Sequence, residues 1–221
     1  MANNILQSEV NLINSELEIV KNIFLETVNL IPSFDITDAK VLPYGLKPHT
    51  RSISWIAEQV IAQQAKLNAG KLGITDVDID FPDADVIDCV IVKGANRYPV
   101  NIKIFQIPSS NSINDIASLT RLYEFYNEGI SNRISYVCFG FEFDNVSVKL
   151  STDVNNLIVF SPQLADKLYI NLGNNKIQFK YKHPTTERTR NEFLGILKPE
   201  YDSLIKLQNE RKETRKNAKP K

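Results

Sequence analysis

Apolar residues recur at the spacing of an amphipathic helix in four segments of the chain. The first segment covers residues 4–30, where Ile13, Leu17, Val20 and Phe24 share one face. We expect this face to belong to the core, with a dimer interface as the alternative. The other three segments predict helices over 51–69, over 113–129 and from about 186 to 216.

Runs of β-branched and aromatic residues predict strands between these helices. The clearest runs are 86–92 and 98–106, which flank a Lys-Gly-Ala-Asn-Arg turn, and 133–143. Shorter strands are predicted at 145–150, 155–160 and 176–182. This order of elements predicts an α/β fold, in which one central mixed β-sheet is flanked by helices.

Composition allows one sizeable core, in one domain with or without a small subdomain, since the chain has 221 residues and is 43% hydrophobic. Its formal net charge is zero, but the charge is unevenly distributed. Six aspartates and no basic residue lie between Lys71 and Lys93, whereas residues 181–221 carry eleven basic and six acidic residues, a net +5. This asymmetry suits a protein that gathers cations at one place and contacts phosphates at another. The alternative is a solvated acidic loop and a frayed basic tail.

The chain has no apolar run of about 18 residues, so we expect no membrane span. Its first residues lack the order of a signal peptide. Cys89 and Cys138 both lie in apolar runs, which favours reduced core residues over a disulfide or a metal pair. These features predict a soluble, cytoplasmic protein.

Three polar residues stand out in the otherwise apolar hairpin. Asp88 and Asn101 lie at nearly equal distances from the turn, so antiparallel pairing places them roughly opposite each other. Lys103 is two residues beyond Asn101 and projects from the same face. Asp88, Asn101 and Lys103 are therefore expected to converge on one side of the sheet.

A magnesium site would explain this polar cluster, because Mg²⁺ prefers oxygen ligands and often uses one or two carboxylates with water. Asp88, the Asn101 amide oxygen and the Ile102 carbonyl are the candidate ligands, and Lys103 is the candidate for orienting water. Glu58 on the second helix is the best further acid. The alternative is structural: Asp88 and Lys103 form a salt bridge, and Asn101 is an edge residue.

Several segments together resemble a nuclease superfamily. An acid-bearing helix with Glu58 precedes "FPDADVID", "VNIKIF" and "INDIASLTRLYEFY". This layout resembles the PD-(D/E)xK nucleases, and more narrowly the type II restriction endonucleases, above all the rare-cutting members that act on AT-rich palindromes and leave blunt ends. "HTRSISWIAEQV", "NIKIFQIPSSNSIND" and "HPTTERTRNEFLGILKPEYDSLIKLQNERKE" extend the resemblance over residues 48–215, with gaps.

The resemblance implies a restriction-endonuclease-like fold, with Asp88 as the metal-binding aspartate, Lys103 as the catalytic lysine and Mg²⁺ as cofactor. Asp85 is the second choice for the aspartate, and the Pro82-Asp83 pair also matches the family pattern. Asn101 stands where the family has a second carboxylate, either as the native residue of an active enzyme or as a substitution that abolishes cleavage. The expected single nuclease domain has a catalytic core at about 48–145, DNA-contacting elements at 146–216 and a flexible tail at 217–221.

A restriction enzyme reads base edges, mainly in the major groove, through residues beside its active site. The candidate DNA-binding residues are Lys47, His49, Thr50, Arg51, Ser109, Ser110, Asn111, Ser112, Asn114, Thr186, Arg188, Thr189 and Arg190. Double-stranded DNA is the expected partner, and a homodimer is expected because protein symmetry matches a palindrome. No nucleotide cofactor is expected.

Two other functions fit the same sequence. A DNA-binding protein of nuclease fold would cleave weakly or not at all, because Asn101 replaces the second metal carboxylate. An unrelated α/β domain, with a salt bridge in its hairpin, would show no salt-dependent affinity for DNA.

Overall fold

In the part of the chain that the structure describes, the fold is built from four α-helices and ten β-strands. The computed structural model describes residues 2–36, 40, 50–82, 85–107, 113–129, 131–144, 146–180 and 184–217. The helices are α1 (Ala2–Leu30), α2 (Thr50–Leu67), α3 (Leu119–Glu128) and α4 (Arg190–Asn217). The strands are β1 (Phe34–Asp35), β2 (Asp76–Asp78), β3 (Cys89–Lys93), β4 (Asn96–Gln106), β5 (Ile113–Ser118), β6 (Ser135–Asp144), β7 (Ser147–Leu150), β8 (Leu157–Phe160), β9 (Tyr169–Asn171) and β10 (Lys176–Lys180).

Seven of these strands form one mixed sheet, which confirms the predicted α/β class. Its order is β1-β7-β6-β4-β3-β2, and β8 pairs with the part of β6 that β7 leaves uncovered. The β4–β6 pair is parallel, whereas the other pairs are antiparallel. The predicted mixed sheet is thus present, and β5, β10 and β9 pair with one another in a second, three-stranded sheet that the sequence did not predict.

The predicted hairpin is confirmed as β3 and β4. Cys89 pairs with Val100 and Lys93 with Asn96, across a two-residue turn in which Gly94 has a φ of +60°. That positive φ suits the turn of a tight hairpin and favours glycine. One residue before β3, the Asp88 amide donates to the Val100 carbonyl at 2.9 Å, so the same register brings Asp88 beside Asn101.

The predicted helix over 113–129 is only half correct. Residues Ile113–Ser118 form β5 and pair with β10, and the helix begins at Leu119. Ser118 caps the helix by accepting a hydrogen bond from the Arg121 amide. The apolar spacing of the segment fits both a helix and a strand. Its first half forms a strand because it pairs with β10, which is distant in the chain.

The large sheet separates two apolar clusters. On one face, Phe24 of α1 and Ile61 of α2 pack with Ile102 and Phe139 of the sheet. On the other face, α3, α4 and the second sheet pack against a cluster that includes Phe105. Alternation along β4 therefore sends Val100, Ile102 and Ile104 toward α1 and α2, and Phe105 toward α3 and α4.

Other predictions at the level of the fold have mixed outcomes. Ile13, Val20 and Phe24 are buried and Leu17 is half-buried, which confirms the core interpretation of α1. Cys89 and Cys138 are both fully buried, as expected of core residues. The last helix begins at Arg190 rather than near Thr186, because residues 185 and 186 pair with the chain around Leu164. Across the described residues, no helix is both long and apolar enough to cross a membrane.

Candidate active site

The site lies along β4 of the large sheet, on the side where β3 ends before β4 does. Because β3 begins at Cys89, which pairs with Val100, no described strand pairs with the β4 backbone beyond this pair on that side. The Ile102 amide instead donates to Asp88 Oδ2 at 2.6 Å, and the Ile102 carbonyl accepts from Lys103 Nζ at 2.9 Å. The end of one strand thus exposes backbone groups of its neighbour to charged side chains.

Lys103 lies between two carboxylates. Its Nζ is 3.8 Å from Asp88 Oδ2 and 3.9 Å from Oε1 of Glu58, which α2 brings from the other face of the sheet. Charge-assisted hydrogen bonds are usually about 2.7–2.9 Å long, so Lys103 attracts both carboxylates without forming a short hydrogen bond to either. The structure therefore brings together three of the predicted catalytic residues, Asp88, Lys103 and Glu58.

Burial disfavours the charged forms of both carboxylates and so raises their pKa values. The pKa of Glu58 is raised to about 7, mainly by desolvation, with the Lys103 charge lowering it and the Asp88 charge adding to the increase. Burial also raises the pKa of Asp88, although Lys103 and the Ile102 amide lower it. One lysine therefore compensates the two carboxylates incompletely, and a further cation in their neighbourhood would favour their charged forms.

Asn101, the fourth predicted catalytic residue, presents an oxygen without a partner. Its side chain is only 4% exposed, and its Nδ2 donates to the Val86 carbonyl at 2.8 Å. This bond turns Oδ1 away from Val86, and Oδ1 is buried with no hydrogen-bond partner among the described residues. A buried amide oxygen in this state has lost its hydration, so it favours a bound cation or water.

These donors fit a hard divalent cation. Two carboxylates, an amide oxygen and a backbone carbonyl are the oxygen ligands that Mg²⁺ prefers. The described residues contain no group of three His, Cys, Asp or Glu side chains that could hold a metal ion. From the residues that the structure describes, a cation here would be held by at most two carboxylates, with neutral oxygens completing the set.

A cavity of about 510 Å³ opens over this site. Asp88, Asn101, Lys103, Glu58 and Asp85 all line it. The Asp85 carboxylate accepts a hydrogen bond from the Val86 amide at 2.6 Å. The remaining wall comes from β5, α3 and β10, and sequence reasoning missed it because a strand was interpreted as a helix. Its members are Asp115, Ile116, Ala117, Ser118, Thr120, Arg121, Asn175 and Lys176.

The candidate DNA-binding residues are only partly described. Lys47, His49 and residues 109–112, which include Ser109, Ser110, Asn111 and Ser112, lie outside the described residues. Thr50 and Arg51 begin α2, but their side chains are not described. Asn114 is half-buried in β5, in register with Phe179.

Two candidates near the start of α4 make structural contacts. Thr189 and Glu192 bond reciprocally and cap the helix, with the Thr189 amide donating to Glu192 Oε2 at 2.6 Å. The Arg190 guanidinium donates to the carbonyl oxygens of Tyr126 and Asn127 at the end of α3.

The other two candidates in this segment also bond to the backbone. Arg188 donates to the Asp166 carbonyl at 3.3 Å, and the Thr186 amide donates to the Leu164 carbonyl at 2.9 Å. Residues 186–190 are not among the described residues that line the cavity, so a DNA contact from this segment would lie beyond the cavity wall.

Comparison with known proteins does not add to this description: no model of a known protein family matches the chain, and no curated protein matches it. The chemistry of the site is thus inferred from its own residues, namely a lysine between two half-buried carboxylates and an amide oxygen without a partner among the described residues.

Proposed function

We propose that the protein is a Mg²⁺-dependent endonuclease that hydrolyses phosphodiester bonds of double-stranded DNA at a short palindromic site, as type II restriction enzymes do. The observation that carries this proposal is that Asp88 and Glu58 each lie within 4 Å of Lys103 at an open cavity. Beside them is Asn101 Oδ1, which has no hydrogen-bond partner in the described part of the chain. A purely structural salt bridge would require neither an amide oxygen without a partner nor a second, half-buried carboxylate.

The chain's own residues account for the chemistry as follows. Asp88, the Asn101 amide oxygen and the Ile102 carbonyl would hold the ion, with Glu58 or Asp85 as a further acid. When bound, Mg²⁺ supplies the positive charge that polarises the scissile phosphate and lowers the pKa of water. Lys103 offsets the negative charge that develops on the phosphate and orients the attacking water with its ammonium group.

The same proposal extends to the fold and the assembly. An acid-bearing helix packed behind a β-hairpin that carries an aspartate and a lysine is the arrangement implied by the resemblance to restriction endonucleases. We propose a restriction-endonuclease-like nuclease domain that acts as a homodimer, because one copy of the site cuts one strand and a palindrome presents two equivalent strands.

Cleavage of a long DNA of mixed sequence tests this function. With Mg²⁺ the protein is expected to produce discrete fragments, and sequencing their ends gives the recognition site and the stagger. Lys103→Ala should abolish cleavage and retain DNA binding. Lys93→Ala, which removes an exposed lysine at the tip of the same hairpin, is the matched control and should cut normally. A smear in place of fragments would contradict site specificity.

A second candidate function is DNA binding without cleavage. It is favoured by the neutral Asn101 side chain, which adds no negative charge to the two described carboxylates within 4 Å of Lys103. Such a protein would shift a DNA band equally with and without a divalent ion and would cut with neither Mg²⁺ nor Mn²⁺. Asn101→Asp would then create cleavage if only the missing charge prevents it.

A further inference from the structure

The cavity has a second charged wall that the proposed nuclease chemistry does not use. It consists of the end of β5, the first turn of α3 and the start of β10. Arg121 on α3 and Lys176 on β10 both line the cavity that contains Asp88 and Lys103. The two basic side chains come from segments 55 residues apart, so only the tertiary structure brings them to one wall.

Asn175 holds the two segments together. It adopts a left-handed conformation with a φ of 57°, next to Lys176. Its Oδ1 accepts from the Thr120 amide at 3.1 Å, and its Nδ2 donates to the hydroxyls of Ser118 and Thr120, each at 3.0 Å. Its carbonyl also accepts from the Leu119 amide at 3.2 Å. These four bonds tie the backbone of Lys176 to the first turn of α3, which carries Arg121.

Both cations remain available to an anion. Arg121 has one ion-pair partner among the described residues, Glu124, at 4.0 Å on an exposed face, and such surface pairs contribute little. Lys176 has no carboxylate within 4 Å in the described part of the chain. The nearby Asp115 carboxylate accepts a hydrogen bond from the side-chain Nε2 of Gln178 at 2.7 Å.

We propose that Arg121 and Lys176 bind phosphates of the DNA backbone that neighbour the scissile phosphate. This inference rests on the proposed nuclease function. A cleaved strand lies with one phosphate at Asp88 and Lys103, and the adjoining phosphates then face the remaining wall of the same cavity. The planar Arg121 guanidinium can bind phosphate oxygens in a bidentate manner, and Lys176 acts as a point charge. Such contacts position the strand without reading its sequence.

The salt dependence of DNA binding tests this inference. We would measure the affinity of the whole protein for a mixed-sequence duplex by fluorescence anisotropy, with EDTA present so that the strands stay intact. Each phosphate contact contributes about 0.9 to the slope of log affinity against log salt concentration. Arg121→Ala and Lys176→Ala should each make that slope shallower by about this amount, and the double variant by about twice as much.

Two further variants separate charge from structure. Arg121→Lys keeps the charge and should restore the slope, although it cannot restore bidentate bonding. Lys71→Ala removes an exposed lysine that does not line the cavity and should leave the slope unchanged. If the wild-type protein binds DNA with a steep slope that both alanine variants retain, the inference is overturned and the nuclease function stands. If the wild-type protein neither binds nor cuts DNA, the nuclease function itself fails.

Discussion

Replacing Asn101 by aspartate tests the metal site through stability, without an activity assay. The substitution removes the amide group that donates to the Val86 carbonyl at 2.8 Å and leaves that acceptor without its donor. It also adds a carboxylate to a side-chain position that is 4% exposed, beside Asp88, whose own pKa burial already raises. Without a divalent ion, both changes destabilise the folded state.

The expected loss can be worked out from these contacts. An unsatisfied buried polar group costs about 1–3 kcal/mol, and the added acid brings a further cost of similar size, either as a buried charge or as a proton taken up from water. We take about 3 kcal/mol in total, which lowers the melting temperature of a chain of this length by about 6–12 °C in EDTA.

Mg²⁺ should reverse much of this loss in Asn101→Asp. The introduced carboxylate points where the unpartnered Oδ1 of Asn101 lies and is a stronger ligand than an amide. At free Mg²⁺ of about 100 times its dissociation constant, binding to the folded state adds about 2.7 kcal/mol. Calorimetric melting in EDTA and in Mg²⁺ measures both effects.

Asn132→Asp is the matched control for this experiment. Asn132 also donates through Nδ2 to a carbonyl, that of Phe125 at 2.7 Å, and it does not line the cavity. It should lose stability in EDTA and gain little from Mg²⁺. Equal gains in the two variants, or an Asn101→Asp protein as stable as wild type in EDTA, would refute the assignment of Asn101 to a cation site.

Three further predictions concern pH, an ion pair and the single tryptophan. Burial raises the pKa of Glu58 from its ordinary value of 4.5 to about 7, so the unfolded chain binds fewer protons than the native state between these values, and stability falls as pH rises through this window. Glu58→Gln should therefore raise the free energy of unfolding by up to about 3 kcal/mol at pH 8 and by much less at pH 5, and a gain that does not vary with pH in urea denaturation would contradict this account. Arg133 donates twice to Glu16, at 2.7 and 2.8 Å, so Arg133→Ala should lower the free energy of unfolding by about 1.5–3 kcal/mol, whereas Arg97→Ala, which removes one exposed contact of 3.3 Å, should change it by less than about 0.5 kcal/mol in the same assay. Trp55, the only tryptophan, is 60% exposed and lines a groove with Glu58, so Mg²⁺ should change its fluorescence emission, and an unchanged emission at ion concentrations that raise the melting temperature would place the ion elsewhere.

The elements with strong local signals were predictable. Residues 4–30 repeat apolar positions at helical spacing, and the structure has α1 over Ala2–Leu30. The hairpin was predictable as well, because two β-branched runs flank a glycine turn, and the symmetry about that turn fixed which residues pair. The structure of segment 113–129 was not predictable, because its apolar spacing suits both a helix and a strand. Its pairing partner, β10, begins 58 residues beyond Ser118.

Sequence by itself determined the chemistry near the hairpin: an aspartate, an asparagine and a lysine whose spacing along two paired strands places them together. This prediction was possible because side chains along a strand point alternately to the two faces of the sheet. Counting residues from the turn is therefore sufficient to find those that share a face. Only the tertiary structure decided that Glu58 reaches Lys103, that β3 stops early enough to expose the Ile102 backbone, and that Arg121 and Lys176 share the cavity wall. Those relations depend on how α2 and the second sheet pack against the large sheet. Such packing brings together residues that are far apart in the chain, and no sequence periodicity indicates which of them will meet.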